Sequence, residues 1–238
     1  MSTALPSGIL FLIPTYLSEE HPDVLTHSGK EILFTLEHFI VENEKSARRF
    51  LKLIGSPVAQ PNFKFQLLNE HTEKSDIAIL LKPLKDGLNV GLMSEAGCPG
   101  VADPGSEVVS LAHKAGIQVR PLIGPSSILL ALMASGLNGQ SFLFHGYLPR
   151  EVEPRKQKIR ELEKDALKKN QTQVFIETPY RNNAMLQDLL LHCSSETRLC
   201  IACNLTSNDE MIQTFTIAVW KKRIPDLNKK PCIFLLGI

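Results

Sequence analysis

The segment Gly91-Leu-Met-Ser-Glu-Ala-Gly-Cys-Pro-Gly-Val-Ala-Asp-Pro-Gly105 is the stretch from which the rest of the chain can be interpreted. It overlaps an apolar run at 89–93 that is typical of a buried strand, and residues 106–115 follow with apolar side chains at helical spacing. In an open α/β sheet, ligands bind at the carboxyl ends of strands, which is where this loop lies. Its glycines and prolines favour a fixed backbone that a ligand can approach closely, and it is longer than a strand-to-helix turn needs to be. We predict a ligand-binding loop; the alternative is a structural turn whose acids cap the next helix.

Strand-like and helix-like patterns alternate on both sides of this loop. In the first 120 residues we predict strands at 8–13, 39–41, 63–68, 89–93 and 117–120. Between them we predict helices at 44–53, 74–84 and 106–115. Segment 120–125, with two prolines and a glycine, is a natural connector. Beyond it we predict a helix from Ser126 or Ser127 to Ala134, helices at 154–169 and 181–192, and strands at 142–145, 173–177, 198–203, 211–219 and 232–236. The fold class is therefore α/β, with an N-terminal domain at 1–120, a C-terminal domain at 121–238, and mixed, mainly parallel sheets.

Composition narrows the class of protein. The formal net charge of +1 does not mark the 238-residue chain as a nucleic-acid binder. Five cysteines form an odd set, and Cys200 and Cys203 lie within a strand-like run, so we interpret them as buried thiols and predict no metal centre. Free thiols favour a reducing, cytoplasmic compartment. No apolar run is long enough to predict a membrane span, and the run at 9–13 is interpreted as a strand, not a signal peptide.

Two common phosphate-binding signatures are missing from the sequence. The glycine-rich loop contains neither G-x-x-x-x-G-K-[ST] nor G-x-G-x-x-G. This argues weakly against a nucleoside triphosphatase and against a nicotinamide-dependent enzyme.

Five ordered motifs resemble one known family. Ser94-Glu-Ala-Gly-Cys-Pro-Gly-Val-Ala-Asp-Pro-Gly105, Pro121-Leu-Ile-Gly-Pro-Ser-Ser127 and Ala134-Ser-Gly-Leu137 resemble the tetrapyrrole methylase superfamily, the class III adenosylmethionine-dependent methyltransferases. Phe142-Leu-Phe-His-Gly-Tyr-Leu-Pro149 and Phe175-Ile-Glu-Thr-Pro-Tyr-Arg181 are similar to motifs of the branch that methylates ribose 2′-hydroxyls of small-subunit ribosomal RNA.

The resemblance implies a homodimer of two-domain subunits, with S-adenosylmethionine in the cleft between the two domains. It implies Arg181 and Lys45 as substrate-binding residues. The cofactor-binding residues that it implies are Ser94, Glu95, Ala96, Gly97, Val101, Asp103, Gly124, Ser126, Ser127, Ile176, Glu177, Thr178, Leu205 and Thr206.

Three segments depart from the family pattern, and they lie on the acceptor side. The family's T-P-I-G-N-L is here Ile13-Pro-Thr-Tyr-Leu-Ser18, its E-D-T-R is Glu42-Asn-Glu-Lys45, and its R-E-L-T-K is Cys203-Asn-Leu-Thr-Ser207. Methyl transfer is thus better supported than any particular acceptor. Ribosomal RNA is the first hypothesis, a tetrapyrrole or other small molecule the second, and an inactive cofactor-binding module the third.

A ribose hydroxyl needs a base, and three residues are candidates. Glu42 and Glu177 are predicted as catalytic, and His145 is a third candidate because its ordinary pKa suits proton transfer near neutrality. Each has a structural alternative: Glu42 begins a helix, Glu177 binds backbone amides of its turn, and His145 packs in the core.

Basic residues form three clusters that could bind RNA phosphates. An alternative is that they form solvated faces, since acids are interleaved with the second cluster. The clusters are Lys45, Arg48, Arg49 and Lys52; Arg155, Lys156, Lys158 and Arg160; and Lys221, Lys222 and Arg223.

Overall fold

The structure, a computed structural model, describes residues 7–68, 72 and 74–238, with only the backbone for 74–76. Its contacts divide the chain into an N-terminal unit that ends at Ser126 and a C-terminal unit that begins at Ser127. The boundary predicted from the sequence, at 120/121, lies six residues earlier. The connector stays with the N-terminal unit because the Leu122 N–H donates to the Leu12 carbonyl over 2.9 Å.

The N-terminal unit contains a five-stranded, fully parallel sheet in the order β3-β2-β4-β1-β5. The parallel sheet predicted from the short apolar runs is confirmed. In chain order its elements are β1 (Leu10–Ile13), α1 (His27–Leu33), β2 (His38–Val41), α2 (Glu44–Leu53), β3 (Lys64–Leu67), α3 (Lys74–Leu80), α4 (Lys82–Lys85), β4 (Val90–Met93), α5 (Ser106–Lys114) and β5 (Val119–Pro121).

A glycine at the centre of this sheet lets large side chains pack over it. A Cβ atom on Gly91 would lie 2.5 Å from Ile13 Cδ1 and 2.8 Å from Phe39 Cδ1. Both of these side chains are fully buried, and they belong to one apolar cluster of the unit. Apolar helix faces cover the sheet, as the near-continuous apolar strands require. The carboxyl ends of β1, β2 and β4 therefore meet at one edge of a well-packed sheet.

The C-terminal unit contains a mixed five-stranded sheet in the order β6-β7-β10-β8-β9. Only β6 and β7 are parallel; the other three pairs are antiparallel. Its elements are α6 (Ser127–Ser135), β6 (Phe142–Tyr147), α7 (Val152–Lys169), β7 (Thr172–Ile176), α8 (Asn182–His192), β8 (Arg198–Cys203), β9 (Met211–Thr216), α9 (Ile217–Trp220) and β10 (Cys232–Gly237).

One predicted strand in this unit extends too far. The run at 211–219 was predicted as a single strand, but β9 stops at Thr216 and a helical turn, α9, begins at Ile217. Ile217 and Trp220 are three residues apart, so one helical turn buries both of them against the sheet. The Trp220 indole N–H donates to the Leu199 carbonyl over 2.8 Å, which holds the turn in place.

The cysteines of β8, Cys200 and Cys203, are free and buried, as predicted for thiols on a buried strand. Burial raises the pKa of Cys200. In the described part of the chain, none of the helices combines the length and hydropathy that a bilayer crossing requires.

Replacing Trp220 by Phe should lower the free energy of unfolding by about 1–3 kcal/mol, because it removes a buried hydrogen bond and part of a core side chain. Urea unfolding measures this effect. Leu191→Ala is the control, since Leu191 is exposed. An unfolding free energy of Trp220→Phe no lower than that of the control would contradict the role given to the indole.

Candidate functional site

The site begins at the carboxyl edge of the parallel sheet, where the loops after β1 and β4 are joined. The Thr15 N–H donates to the Gly97 carbonyl over 2.9 Å, and the Gly97 N–H donates back over 3.3 Å. The Ser94 hydroxyl donates to the same Gly97 carbonyl over 3.4 Å, and the Cys98 thiol lies 3.3 Å from the Pro125 carbonyl oxygen. The loop 94–105 is therefore held by the rest of the N-terminal unit.

The backbone of loop 94–105 enters the left-handed region four times. Gly97 and Gly100 have φ near +77°, Gly105 has +132°, and the non-glycine residue Ala102 has +63°. A left-handed non-glycine residue is strained by about 1–2 kcal/mol. A simple strand-to-helix turn needs no such conformation, so these values favour the ligand-loop interpretation.

Three carboxyl groups lie close together on this edge. Glu42 directly follows β2, while Glu95 and Asp103 lie on loop 94–105. Burial and the nearby Asp103 charge raise the pKa of Glu42 to about 7, against the effect of a hydrogen bond from the Glu95 backbone N–H. Burial also raises the pKa of Asp103, although a hydrogen bond with the Ser94 side chain opposes the shift. A carboxyl group with a pKa near neutrality is suited to accept or donate a proton.

The Glu42 side chain does not cap α2, and one of its oxygens is unpaired within the described part of the chain. Its Oε1 atom is buried and, among the residues the structure describes, has no hydrogen-bond partner. The cap of α2 is Asn43, whose Oδ1 accepts from the Lys45 N–H over 2.9 Å and the Ser46 N–H over 3.4 Å. Asn43 is thus the cap, and Glu42 lies directly before it, at the N-terminal end of α2.

Glu95 and three further predicted residues of the N-terminal unit are exposed. Glu95 is exposed and accepts from the Ser46 hydroxyl over 3.2 Å, a contact that the sequence analysis missed because Ser46 lies on a different element. Ala96 and Val101 are also exposed, and Lys45 lies exposed in the first turn of α2.

Gly124 allows the loops after β1 and β5 to touch. A Cβ atom on Gly124 would lie 2.4 Å from the Cβ of Pro14, which is much closer than real contacts. Ser126 and Ser127 follow it; both are half-buried, and Ser127 begins α6.

In the C-terminal unit, Glu177 is engaged in its own turn. Its Oε1 accepts from the Thr178 N–H over 2.6 Å and forms an ion pair with the Arg181 guanidinium, and its side chain is almost fully buried. The Arg181 Nε–H also donates to the Thr178 hydroxyl over 3.2 Å. Glu177 and Arg181 thus neutralise each other, and the bond to a backbone amide matches the structural alternative for Glu177. Ile176 ends β7 just before this turn.

The remaining predicted residues of this unit are Leu205, Thr206 and His145. Leu205 is buried, and Thr206 has a left-handed φ of +68° and donates its N–H to Glu210 over 2.7 Å. His145 lies on β6 with Nε2 2.7 Å from the Gln173 Oε1, and burial lowers its pKa. His145 is therefore packed in the sheet. Among the described residues, no three acidic, histidine or cysteine side chains are arranged to hold a metal ion.

Most of the chain matches one known protein family. Residues 20–219 match the family described as Tetrapyrrole (Corrin/Porphyrin) Methylases. A Vibrio cholerae protein named Ribosomal RNA small subunit methyltransferase I is 32% identical over 216 residues, which cover 90% of this chain and 71% of that protein. A Halalkalibacterium halodurans protein of the same name is 32% identical, with 97% of this chain and 76% of that protein covered.

A solved structure shares the fold. The methyltransferase CobJ superposes with a TM-score of 0.63 over 97% of this chain and 94% of its own, at 16% sequence identity. At that identity the likeness concerns the fold alone, and it agrees with the two-sheet α/β architecture predicted from the motifs.

Glu42→Gln should stabilise the protein in a pH-dependent way. The folded-state pKa of Glu42 is raised to about 7 from 4.5, so its contribution to stability is highest below 4.5 and is lost as the pH rises towards 7. A neutral glutamine avoids this loss, and we expect the unfolding free energy to rise by about 1–3 kcal/mol at about pH 8, with little change at about pH 4.5. Denaturant unfolding at both pH values tests this, with the exposed Glu37→Gln as control. A Glu42→Gln variant no more stable than wild type at about pH 8 would contradict a raised pKa of Glu42 in the folded protein.

Proposed function

The chain belongs to the tetrapyrrole (corrin/porphyrin) methylases, and we propose that it uses S-adenosylmethionine to methylate a ribose 2′-hydroxyl of small-subunit ribosomal RNA. It is a methyltransferase by family. The observation that carries the proposal is the carboxyl cluster beside the left-handed loop 94–105, where Glu42 has a buried oxygen with no partner among the described residues.

The loop residues fit the cofactor chemically. Left-handed glycines carry no Cβ, so a ligand can approach the loop backbone closely. The carboxylates of Glu95 and Asp103 can accept hydrogen bonds from ribose hydroxyls or from an ammonium group. We propose the following cofactor-binding residues: Ser94, Glu95, Ala96, Gly97, Val101, Asp103, Gly124, Ser126 and Ser127 from the N-terminal unit, and Ile176, Glu177, Thr178, Leu205 and Thr206 from the C-terminal unit.

When bound, the cofactor would supply a methyl group that is already electrophilic. The chain's own task is then to hold the acceptor hydroxyl in place and to remove its proton. Glu42 Oε1 is the atom we propose to accept that proton, because it has no other partner among the described residues and its pKa is raised to about 7. Glu177, the second predicted base, is already paired with Arg181, so we do not assign it the role of base.

Ribosomal RNA is favoured as acceptor because both relatives described above are named for it. The departure at 203–207 forms a self-contained turn: the Ser207 hydroxyl donates to the Asn204 carbonyl over 2.7 Å, and the Asn204 amide donates to Asp209 over 2.7 Å. The turn is therefore held by its own polar groups, and its altered sequence does not disrupt the local fold.

We also propose that the chain works as a cytoplasmic homodimer, as the family resemblance implies. All five cysteines are free, which fits a reducing compartment. Light scattering coupled to gel filtration measures the dimer; a monomeric mass at micromolar concentration would overturn that part.

Methyl transfer should depend on the protonation of Glu42. A base is active when deprotonated, so the rate should rise with pH and level off above about 7. Glu42→Gln should lower kcat by roughly 100-fold or more and remove this dependence, whereas adenosylhomocysteine affinity should stay within a few fold. Label transfer from methyl-labelled cofactor to small ribosomal subunits measures kcat and its pH dependence. A Glu42→Gln enzyme with the wild-type rate and pH profile would exclude Glu42 as the base.

Ser127→Trp should obstruct the cofactor site. We expect adenosylhomocysteine binding, measured by calorimetry, to weaken at least tenfold, since a large ring replaces a hydroxymethyl group. Met133→Trp on the same helix is the control because Met133 is exposed. Equal adenosylhomocysteine affinity in both variants would show that the proposed cofactor-binding residues are wrong.

The acceptor is tested separately with methyl-labelled cofactor. Label that enters porphyrin precursors instead of ribosomal subunits would favour the tetrapyrrole acceptor.

A further inference from the structure

The three basic clusters of the sequence differ in how far their charge is neutralised. In the first cluster, Arg48 pairs with Glu44 over 2.7 Å and Arg49 pairs with Glu19. The second is paired through Arg155–Asp188 at 2.6 Å, Lys156–Glu153 at 2.7 Å and Lys158–Glu161 at 3.6 Å. The third continues to Lys229 and Lys230, so residues 221–230 contain five basic residues and one acid. In the described ranges, no carboxylate lies within 4 Å of the basic groups of this third cluster.

Lys229 and Lys230 lie between the two motif turns of the C-terminal unit. The Lys229 N–H donates to the Pro179 carbonyl over 3.0 Å, and the Asn182 side-chain amide donates to the Lys230 carbonyl over 2.6 Å. On the other side, the Asn204 N–H donates to the Pro231 carbonyl over 2.9 Å. One short segment thus joins the turn that carries Glu177 and Arg181 to the turn that carries Leu205 and Thr206.

The acids at this edge are already bound to other groups. Asp226 accepts from the Asn183 amide over 2.8 Å and the Asn228 N–H over 3.0 Å. Asp209 accepts from Asn204 and Ser207, and Glu210 accepts from the Thr206 N–H. Hydrogen bonds lower the pKa of both aspartates, from the Ser207 and Asn204 side chains to Asp209 and from the Asn183 side chain to Asp226. The Lys230 charge adds a smaller lowering from a distance, without a close ion pair. The two lysines therefore retain charge that a ligand can use.

The backbone of Lys229 is unusual for a lysine. Its φ is +60°, a left-handed conformation in which glycine or asparagine is less strained. The backbone therefore disfavours any side chain at position 229. What a lysine adds at this position is its ammonium group.

We propose that Lys229 and Lys230 bind backbone phosphates of the acceptor RNA beside the motif turns. The inference rests on the proposed function, because it assumes that the acceptor is RNA. Lysines bind phosphates as point charges and position a nucleic acid without reading its sequence.

The same unit offers a matched control pair. Lys221 and Lys222 follow α9, which lies at the opposite edge of the sheet, since the Ile217 N–H donates to the Thr197 carbonyl where β8 begins. A six-residue strand such as β8 spans about 20 Å, so this pair is far from the motif turns. Lys229→Gln/Lys230→Gln and Lys221→Gln/Lys222→Gln therefore make the same change in charge at two different edges.

The test measures binding of a fluorescent single-stranded RNA, a 20-mer in length, from about 50 to 200 mM KCl. Each phosphate contact contributes about 0.7 to the slope of log affinity against log salt, so loss of two contacts should reduce the slope by about 1.4 and the affinity roughly tenfold at the lower salt. We expect this for Lys229→Gln/Lys230→Gln only, and we expect recovery in Lys229→Arg/Lys230→Arg. Adenosylhomocysteine affinity and the melting temperature should not change, and the KM for ribosomal subunits should rise more than kcat falls.

Several outcomes would overturn the proposal. Equal slopes for both glutamine pairs, or a lower melting temperature with an unchanged slope, would assign the lysines a non-specific or structural role. Loss of binding to phosphatidylserine vesicles with RNA binding intact would assign them to a membrane. If wild type transfers label to ribosomal subunits and the lysine variant behaves as wild type, only this inference fails. If wild type neither binds RNA nor labels subunits, the proposed acceptor fails first and this inference with it.

Discussion

The parallel alignment of β1, β2 and β4 is the constraint on which the site depends. Because these strands run side by side in one direction, the residues that follow them meet at a single edge of the N-terminal sheet. Glu42 follows β2 and Ser94 follows β4, so two segments far apart in the chain contribute to one cluster. Gly91 makes the packing of these strands possible, since a side chain there would collide with Ile13 and Phe39.

Residues at the same edge of the sheet also lower the stability of the folded protein. Glu42 and Asp103 are both partly buried, and each has a raised pKa, so their ionisation opposes folding near neutrality. Loop 94–105 adds a left-handed alanine. Unfavourable charge and backbone strain in one place are typical of functional sites, where surrounding packing maintains an arrangement that the local residues disfavour.

Much of the fold could be predicted from the sequence because local patterns dominate its elements. β8 was predicted with the bounds that the structure has, since its apolar run ends at a polar turn. β9 was predicted too long because the apolar residues Ile217–Trp220 are compatible with a strand or a helix. The helical turn is favoured by the burial of Trp220 in the core, which the sequence pattern does not show. No helix was predicted at His27–Leu33, where Ser28 and Gly29 weaken helix propensity and the Thr26 cap does most to define the start. The five motifs indicated the family correctly.

The site was less predictable because its chemistry depends on distant contacts. The sequence indicated Glu42 but could not show that Asn43 takes the capping role or that Asp103 lies near enough to raise its pKa. Likewise, the importance of Lys229 and Lys230 depends on the position of β10 between β7 and β8.

A crystal structure with bound adenosylhomocysteine tests the central claim most directly. The account predicts that the ligand's ribose hydrogen-bonds to Glu95 or Asp103 and that its sulfur faces Glu42. A ligand bound away from loop 94–105, or with its sulfur turned away from Glu42, would contradict it.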